Sequence, residues 1–95
     1  MLLGKRIREL REEKGLLQRQ VAASLEMDSC LYSKIERGER RCKREFVVKM
    51  AKILGTNEDE LVTLWVTDQL NETISEEKAD VAKEAIATIY KSING

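Results

Sequence analysis

Apolar residues recur through the first 70 positions at intervals of three and four, the spacing of helices that each bury one face. Leu3, Ile7 and Leu10 form the first stripe, with charged residues on the remaining faces of a helix that ends near Lys14. The next four stripes contain Val21, Ala22 and Leu25; Tyr32 and Ile35; Val47, Met50, Ala51 and Leu54; and Leu61, Leu64 and Trp65. The pattern therefore predicts five short helices with brief connections.

Glycines and capping residues mark where these helices stop and start. Proline is absent, and Gly15, Gly38 and Gly55 each follow an apolar stretch, where a left-handed C-terminal cap favours glycine. Asp28 and Asn57 are suitable N-caps for the third and fifth helices, because their side chains can accept bonds from free backbone N–H groups. The second helix is predicted to begin about Gln18, the third to run from about Ser29 to Arg37, and the fourth to begin about Lys43.

A sixth amphipathic segment lies near the C-terminus. Ser75, followed by Glu76 and Glu77, is the predicted N-cap of a helix that continues to Ile93. One side of this helix carries Ala82, Ala85, Ile86, Ile89, Tyr90 and Ile93. Such a stripe is buried either against its own domain or against a second copy, and the pattern does not choose between them. The expected organisation is a domain over residues 1–70 and a C-terminal extension over 71–95 that serves dimerisation or packing.

Length and composition limit the class of protein. The 95 residues suit one domain, and 42% hydrophobic with 36% charged residues is a globular composition. No apolar run approaches the ~18 residues of a membrane span, and "MLLGKRIREL" becomes polar too early for a signal peptide. We expect a cytoplasmic protein without membrane contact.

The chemically reactive residue types are few. There is no histidine, so a Cys-His or Ser-His nucleophile is excluded, and Cys30 and Cys42 alone provide too few ligands for a common zinc site. No phosphate-binding loop or convergent pair of acids is visible. We expect no enzyme, no cofactor and no metal, and no structural disulfide in a chain without secretory features.

The zero net charge conceals two oppositely charged halves. Residues 1–55 carry 14 Lys and Arg against 8 Asp and Glu, and residues 56–95 carry 3 against 9. The first half is therefore suited to a polyanion, and the second half would be kept away from it.

The segment "LLQRQVAASLEMDSCLYSKIERGER" resembles the Xre-type helix-turn-helix of lambda-repressor-like transcriptional regulators. The similarity continues through "VVKMAKILGTNEDEL" and covers about residues 4–64. It implies an all-α fold: a five-helix lambda-repressor-like DNA-binding domain, here with an additional C-terminal helix. Four positions depart from the usual pattern. Cys42 stands where proline is frequent, and Arg44 stands where the family often has an apolar residue. Glu26 stands where the turn commonly has glycine, and Leu17 stands where a Ser, Thr or Asn would cap the second helix.

The resemblance also assigns roles to residues. The recognition helix, about 29–37, would enter the major groove of double-stranded DNA and present Ser29, Cys30, Ser33 and Lys34 to base edges. Leu31 would either contact a thymine methyl group or complete the core. Backbone contacts would come from Gln18, Arg37, Arg40, Arg41, Lys43 and Arg44. Glu36 would form a structural ion pair with Arg11.

These expectations together describe a sequence-specific transcriptional regulator that binds DNA as a homodimer, through either the fifth or the sixth helix. Controller proteins of restriction-modification systems are the first choice within the family, ahead of phage-type repressors and antitoxins. The alternative is an antitoxin or protein-protein adaptor that uses the acidic C-terminal helix. Cations around the third helix favour DNA, since an adaptor has no need of them. A contact with a toxin or with RNA polymerase stays open.

Overall fold

In the computed structural model, which describes residues Met1–Gly95, the chain forms six α-helices and no strand. They are α1 (Leu2–Glu13), α2 (Gln18–Ser24), α3 (Ser29–Glu36), α4 (Arg44–Leu54), α5 (Glu58–Ile74) and α6 (Ala79–Asn94). The all-helical prediction is confirmed. The predicted starts of α2 and α3 agree with the structure, and α4 begins one residue after Lys43. No helix is both long enough and apolar enough to cross a bilayer.

One apolar core joins the first five helices. It contains Leu3, Ile7, Leu10, Val21, Ala22, Leu25, Tyr32, Ile35, Val47, Met50, Ala51, Leu54 and Leu61. These are the inward positions of the predicted stripes, except that Leu64 and Trp65 are only partly buried at its edge. Helix α4 packs against α5, and α1 packs against α3, α4 and α5, so α1 and α4 support the α2–α3 pair from behind.

Local caps fix the starts of α3 and α5. The Asp28 carboxylate accepts bonds from the backbone N–H groups of Cys30 and Leu31, at 2.7 and 3.3 Å. Asn57 Oδ1 caps α5 in the same way. Gly55 ends α4 at φ 67°, in the left-handed region that a side chain would disfavour. Both N-cap predictions are confirmed, and the positive φ angles of Gly15 and Gly38 agree with their predicted role.

Helix α1 has a cap that is distant in sequence. Met1 makes no side-chain cap bond, and the first N–H groups of α1 are bonded instead by Asp68 of α5. Asp68 Oδ1 accepts from Leu2 N at 2.9 Å, and Oδ2 accepts from Leu3 N at 3.0 Å. Asp68 is 8% exposed, so α5 closes the end of α1 with a buried carboxylate.

The predicted cap of the sixth helix is wrong. Ser75 ends α5, with φ −61° and ψ −27°, whereas an N-cap needs an extended backbone. Its hydroxyl donates to the carbonyl of Glu72 at 3.0 Å, and α6 begins at Ala79 after Lys78, without a side-chain cap. The predicted boundary after Leu70 falls within α5, which continues without a break through Ile74. The break between α5 and α6 falls at residues 75–78.

Helix α6 stands apart from the core. None of its residues is buried, and it makes no extensive contact with another helix. Ile86, Tyr90 and Ile93 are 52%, 70% and 78% exposed. Within one chain, therefore, the stripe does not pack back onto the domain.

Candidate nucleic-acid interface

Helices α2 and α3 are joined by a tight turn of four residues, Leu25 to Asp28. Leu25 is buried and holds the turn against the core. Glu26 takes φ 54°, so the position where glycine is common does adopt the left-handed conformation, at a cost of about 1 kcal/mol for a residue with a side chain. The turn accepts this strain because the buried faces of both helices fix their relative positions.

The start of α2 lacks a conventional cap. Leu17 occupies the N-cap position and its side chain has no acceptor atom. The Gln20 Oε1 instead accepts a bond from the backbone N–H of Leu17 at 2.8 Å. The N–H groups that open α2 therefore have no side-chain acceptor from Leu17, as the sequence predicted.

Helix α3 is held by its inner face. Tyr32 and Ile35 are 0% and 4% exposed and belong to the core. Leu31 is half-buried at the edge of the core, which accounts for its side chain without a nucleic-acid contact. Ser29, Cys30 and Lys34 are exposed and Ser33 is half-buried on the outer face. The outer face of α3 is therefore open to a ligand.

An open groove runs between the start of α2 and the outer face of α3. It is lined by Arg11, Leu17, Gln18, Arg19, Ser29, Cys30, Ser33, Lys34 and Arg37. The structure thus brings together all four proposed base-contacting residues with two of the proposed backbone-contacting residues, Gln18 and Arg37. Its lining carries hydroxyls, the three exposed cations Arg19, Lys34 and Arg37, and no exposed carboxylate, which is a surface suited to a polyanion.

Arg19 is a groove residue that the sequence analysis missed. It is exposed and lies in the first turn of α2, next to Gln18. The available signal was its position one residue after the helix start, where a cation stands beside free backbone N–H groups.

The floor of the groove is a buried ion pair. Arg11 Nε lies 2.7 Å from Glu36 Oε2, and Arg11 Nη2 lies 3.1 Å from Glu36 Oε1, so the contact is bidentate. The Glu36 side chain is 2% exposed and that of Arg11 is 11% exposed. Arg11 Nη1 also donates to the carbonyl of Leu16 at 2.8 Å, which ties α1 to the segment before α2.

The contacts of Glu36 keep its carboxylate ionised. Burial, the largest single influence, would raise the pKa of Glu36, but the hydrogen bonds that Glu36 accepts, the strongest from Arg11, and the Arg11 charge together hold the pKa below the ordinary glutamate value. The buried Tyr32 hydroxyl lies in the same region and has no hydrogen-bond partner of its own. Burial raises the pKa of Tyr32 far above its ordinary value, so the phenol stays neutral. Glu36 is therefore ionised at neutral pH.

Gln18 is oriented by the same acid. Its Nε2 donates to Glu36 Oε1 at 3.1 Å, so one amide hydrogen is directed inward. The second amide hydrogen is not taken by this bond, and Gln18 lines the groove. A chain of contacts thus runs from α1 through α3 to the first residue of α2.

The remaining proposed backbone contacts lie outside this groove. Arg40, Arg41 and Lys43 follow α3 and surround a separate small recess that includes Cys42 and Phe46. Arg41 forms an ion pair with Glu72 of α5, and Arg44 is exposed in the first turn of α4. The loop is anchored by Trp65, whose Nε1 donates to the Cys42 carbonyl at 2.8 Å. The cations therefore form two groups, one in the groove and one on the loop beside it.

Comparison with known families identifies the class of this domain. A family model described as a helix-turn-helix domain matches residues 2–64. The match covers α1 through the first part of α5, and the chain belongs to this family, that of DNA-binding regulators with a helix-turn-helix. Comparison with curated proteins and with solved structures gave no match.

Proposed function

We propose that this chain is a sequence-specific transcriptional regulator that binds double-stranded DNA as a homodimer, with α3 in the major groove. The observation that carries the proposal is the groove itself. Ser29, Cys30, Ser33 and Lys34 face one open surface, and their helix is fixed from behind by Tyr32 and Ile35. A rigid helix with small polar side chains and one lysine can approach base edges closely.

The charge around the groove supports the same function. Arg19 and Arg37 lie at its edges, and Arg40, Lys43 and Arg44 lie on the adjoining loop and helix start. Cations on either side of a reading helix can bind phosphates along both walls of a groove. Such contacts provide affinity without sequence preference. Affinity would therefore come from these cations, and sequence preference from the residues on the outer face of α3. The chemistry is that of a binding protein and not of an enzyme.

A dimer follows from the size of the reading surface. One short helix contacts few base pairs, and a two-fold pair would read two half-sites about 34 to 36 Å apart. Within the Xre-type, lambda-repressor-like group, we favour a controller of a restriction-modification system. The helical extension after the five-helix body supports that choice over a phage-type repressor.

The test begins with selection of bound sequences from random DNA, which provides a cognate site. Lys34→Ala should then lower the preference for the cognate site over random DNA by about 10-fold or more, since a lysine on a guanine edge discriminates between bases. Arg40→Ala should weaken binding to both DNAs equally and reduce the salt slope by about one unit. Fluorescence anisotropy over a range of salt concentrations measures both effects.

Lys52→Ala is the matched control, because Lys52 is exposed on α4 and lines neither the groove nor the loop recess. It should leave affinity and preference unchanged. An equal loss on both DNAs for Lys34→Ala would contradict the placement of α3 in the major groove.

A second candidate is an antitoxin or adaptor that binds another protein through the acidic C-terminal helix. The exposed apolar residues of α6 favour it, because they offer a surface to a partner. Selection would return no enriched sequence in that case, and Lys34→Ala would leave partner binding intact.

A further inference from the structure

Two apolar stripes remain uncovered in the C-terminal part of the chain. On α5, Val66 and Leu70 are spaced by four residues and are 42% and 47% exposed. On α6, four residues share one face and are 45% to 78% exposed: Ile86, Ile89, Tyr90 and Ile93. None of these residues lines the groove between α2 and α3.

The stretch of α5 around its stripe lacks exposed charge. Between Leu61 and Asn71 the only ionisable side chain is Asp68, and it is buried in the cap of α1. This is unusual in a chain that is 36% charged. Depletion of charged residues marks the central part of protein interfaces, so this surface has the composition of a site that another helix covers.

The second stripe is too small to form an interface with its own copy. Residues Ala79, Ala82, Ile86, Ile89 and Ile93 follow a heptad spacing, but α6 has only 16 residues. A stable coiled coil needs about three to four heptads, and the first two positions here are alanines. Pairing of α6 with α6 alone would leave the α5 stripe open.

Area leads to the same conclusion. Taking about 150 Å² for one large side chain, the α6 stripe leaves roughly 350 Å² of apolar surface open, and the α5 stripe adds roughly 130 Å². A standard interface buries about 800 Å² per partner, of which about 57% is non-polar, or roughly 450 Å². The α6 stripe falls short of this area, whereas both stripes together reach it.

We propose that α6 of each protomer packs on the α5 stripe of a second copy, so that two chains exchange their C-terminal helices around a two-fold axis. This assignment rests on the homodimer of the proposed function and names the surfaces that form it. Each chain offers one helix and receives one, so both stripes are covered in a closed, self-complementary pair. The groove between α2 and α3 stays free on both copies.

Opposite charges placed on the two stripes test the exchange. Leu70→Glu alters the receiving surface, and Ile89→Lys alters the helix that is donated. Each variant alone should raise the dimer dissociation constant by at least about 100-fold, because a symmetric dimer contains the substitution twice. Sedimentation velocity measures the monomer and dimer populations.

An equimolar mixture of the two variants should restore the dimer. In that heterodimer, one contact joins two unaltered stripes and the other joins Glu on α5 with Lys on α6. Asn71→Glu and Thr88→Lys are the controls. Asn71 follows Leu70 and Thr88 precedes Ile89, so each control adds the same charge as its test variant at a neighbouring position off the stripe. Both controls should remain dimeric. Far-UV circular dichroism checks that each variant is folded.

Each other outcome contradicts the exchange in a distinct way. If Leu70→Glu abolishes the dimer and Ile89→Lys does not, the interface lies between two α5 helices. If Ile89→Lys abolishes it and Leu70→Glu does not, the interface lies between two α6 helices. A monomeric unaltered chain, or a mixture without rescue, would also overturn it. The two proposals can also fail separately. If the unaltered chain is a dimer and the variants and their mixture behave as expected, but no DNA sequence is selected, the DNA-binding function is contradicted and the exchange of helices is not.

Discussion

The five-helix body, α1 to α5, and helix α6 have the same kind of sequence pattern and opposite structural outcomes. In α1, the stripe of Leu3, Ile7 and Leu10 is 8% exposed or less. In α6, Ile86 and Ile93 occupy equivalent spacing and are 52% and 78% exposed. Amphipathic spacing therefore identifies a face that can be buried, and only the neighbouring helices decide whether the chain itself buries it.

Polar contacts differ between the two regions in the same way. The body is held by bonds between residues far apart in sequence, such as Arg11 with Glu36 and Asp68 with Leu3. In α6, the one side-chain hydrogen bond is that from Thr88 to the carbonyl of Glu84, within the same helix. Substitutions in the body should therefore affect folding, and substitutions in α6 should affect association.

The largest expected effect comes from breaking the ion pair beneath the groove. Arg11→Met should lower the free energy of unfolding by about 3 to 5 kcal/mol, because it leaves Glu36 buried without its partner. Arg8→Met is the matched control, since the Arg8–Glu12 pair is exposed and should contribute less than about 0.5 kcal/mol. Urea denaturation at pH 7 measures both. Equal losses would show that burial of the pair is unimportant.

The same pair predicts a pH dependence. The folded pKa of Glu36 is below its unfolded value, so its contribution is present above the ordinary glutamate pKa and is lost as pH falls through the lowered one. In Arg11→Met, protonation of Glu36 instead removes an unpaired buried charge. The difference in stability between the two proteins should therefore narrow as the pH falls from neutral through the ordinary glutamate pKa. A constant difference would contradict this account.

The same substitution at two isoleucines, one in the five-helix body and one in α6, compares the two regions directly. Ile7→Ala removes a side chain that is 0% exposed and should cost about 2 to 5 kcal/mol of unfolding free energy. Ile86→Ala removes one that is 52% exposed and should cost less than about 0.5 kcal/mol in dilute, monomeric protein. Thermal denaturation at two protein concentrations measures both. The Ile86 difference should grow with concentration if association covers α6.

A further, smaller effect than that of Arg11→Met or Ile7→Ala concerns the cap that α5 provides to α1. Asp68→Ala should cost about 1 to 2 kcal/mol, because the N–H groups of Leu2 and Leu3 lose their acceptor. Asn57→Ala removes a local cap of the same kind and should cost about 1 kcal/mol. Hydrogen exchange separates the two variants. The first α1 amides should lose protection only in Asp68→Ala, and unchanged protection would show that water replaces the carboxylate.

Much of the body could be predicted because its signals are local. Stripes, glycines and the caps Asp28 and Asn57 act within a few residues, so their spacing identifies the helices and the outer face of α3. The role of Asp68 could not be found in this way, since its partners lie more than sixty residues away in the chain. The Ser75 cap failed because a serine near acidic residues can end one helix as well as begin the next.

In the groove, too, local features could be predicted and contacts between helices could not. The sequence identified Ser29, Cys30, Ser33 and Lys34 as outward residues, because Tyr32 and Ile35 define the inward side. It missed Arg19, and it placed Arg37 and Arg41 in one run of backbone-contacting cations, whereas Arg37 lines the groove and Arg41 lies outside it, paired with Glu72. Which charges face one surface depends on how separate helices are packed, and that information is not contained in any one helix.

By itself, the sequence determined the helices, their buried faces and the basic and acidic halves, because periodicity, capping and charge are properties of neighbouring residues. The tertiary structure decided which side chains share the groove, how Glu36 orients Gln18, and that α6 has no partner within its own chain. These features depend on contacts between residues distant in sequence, and such contacts exist only after the helices have packed.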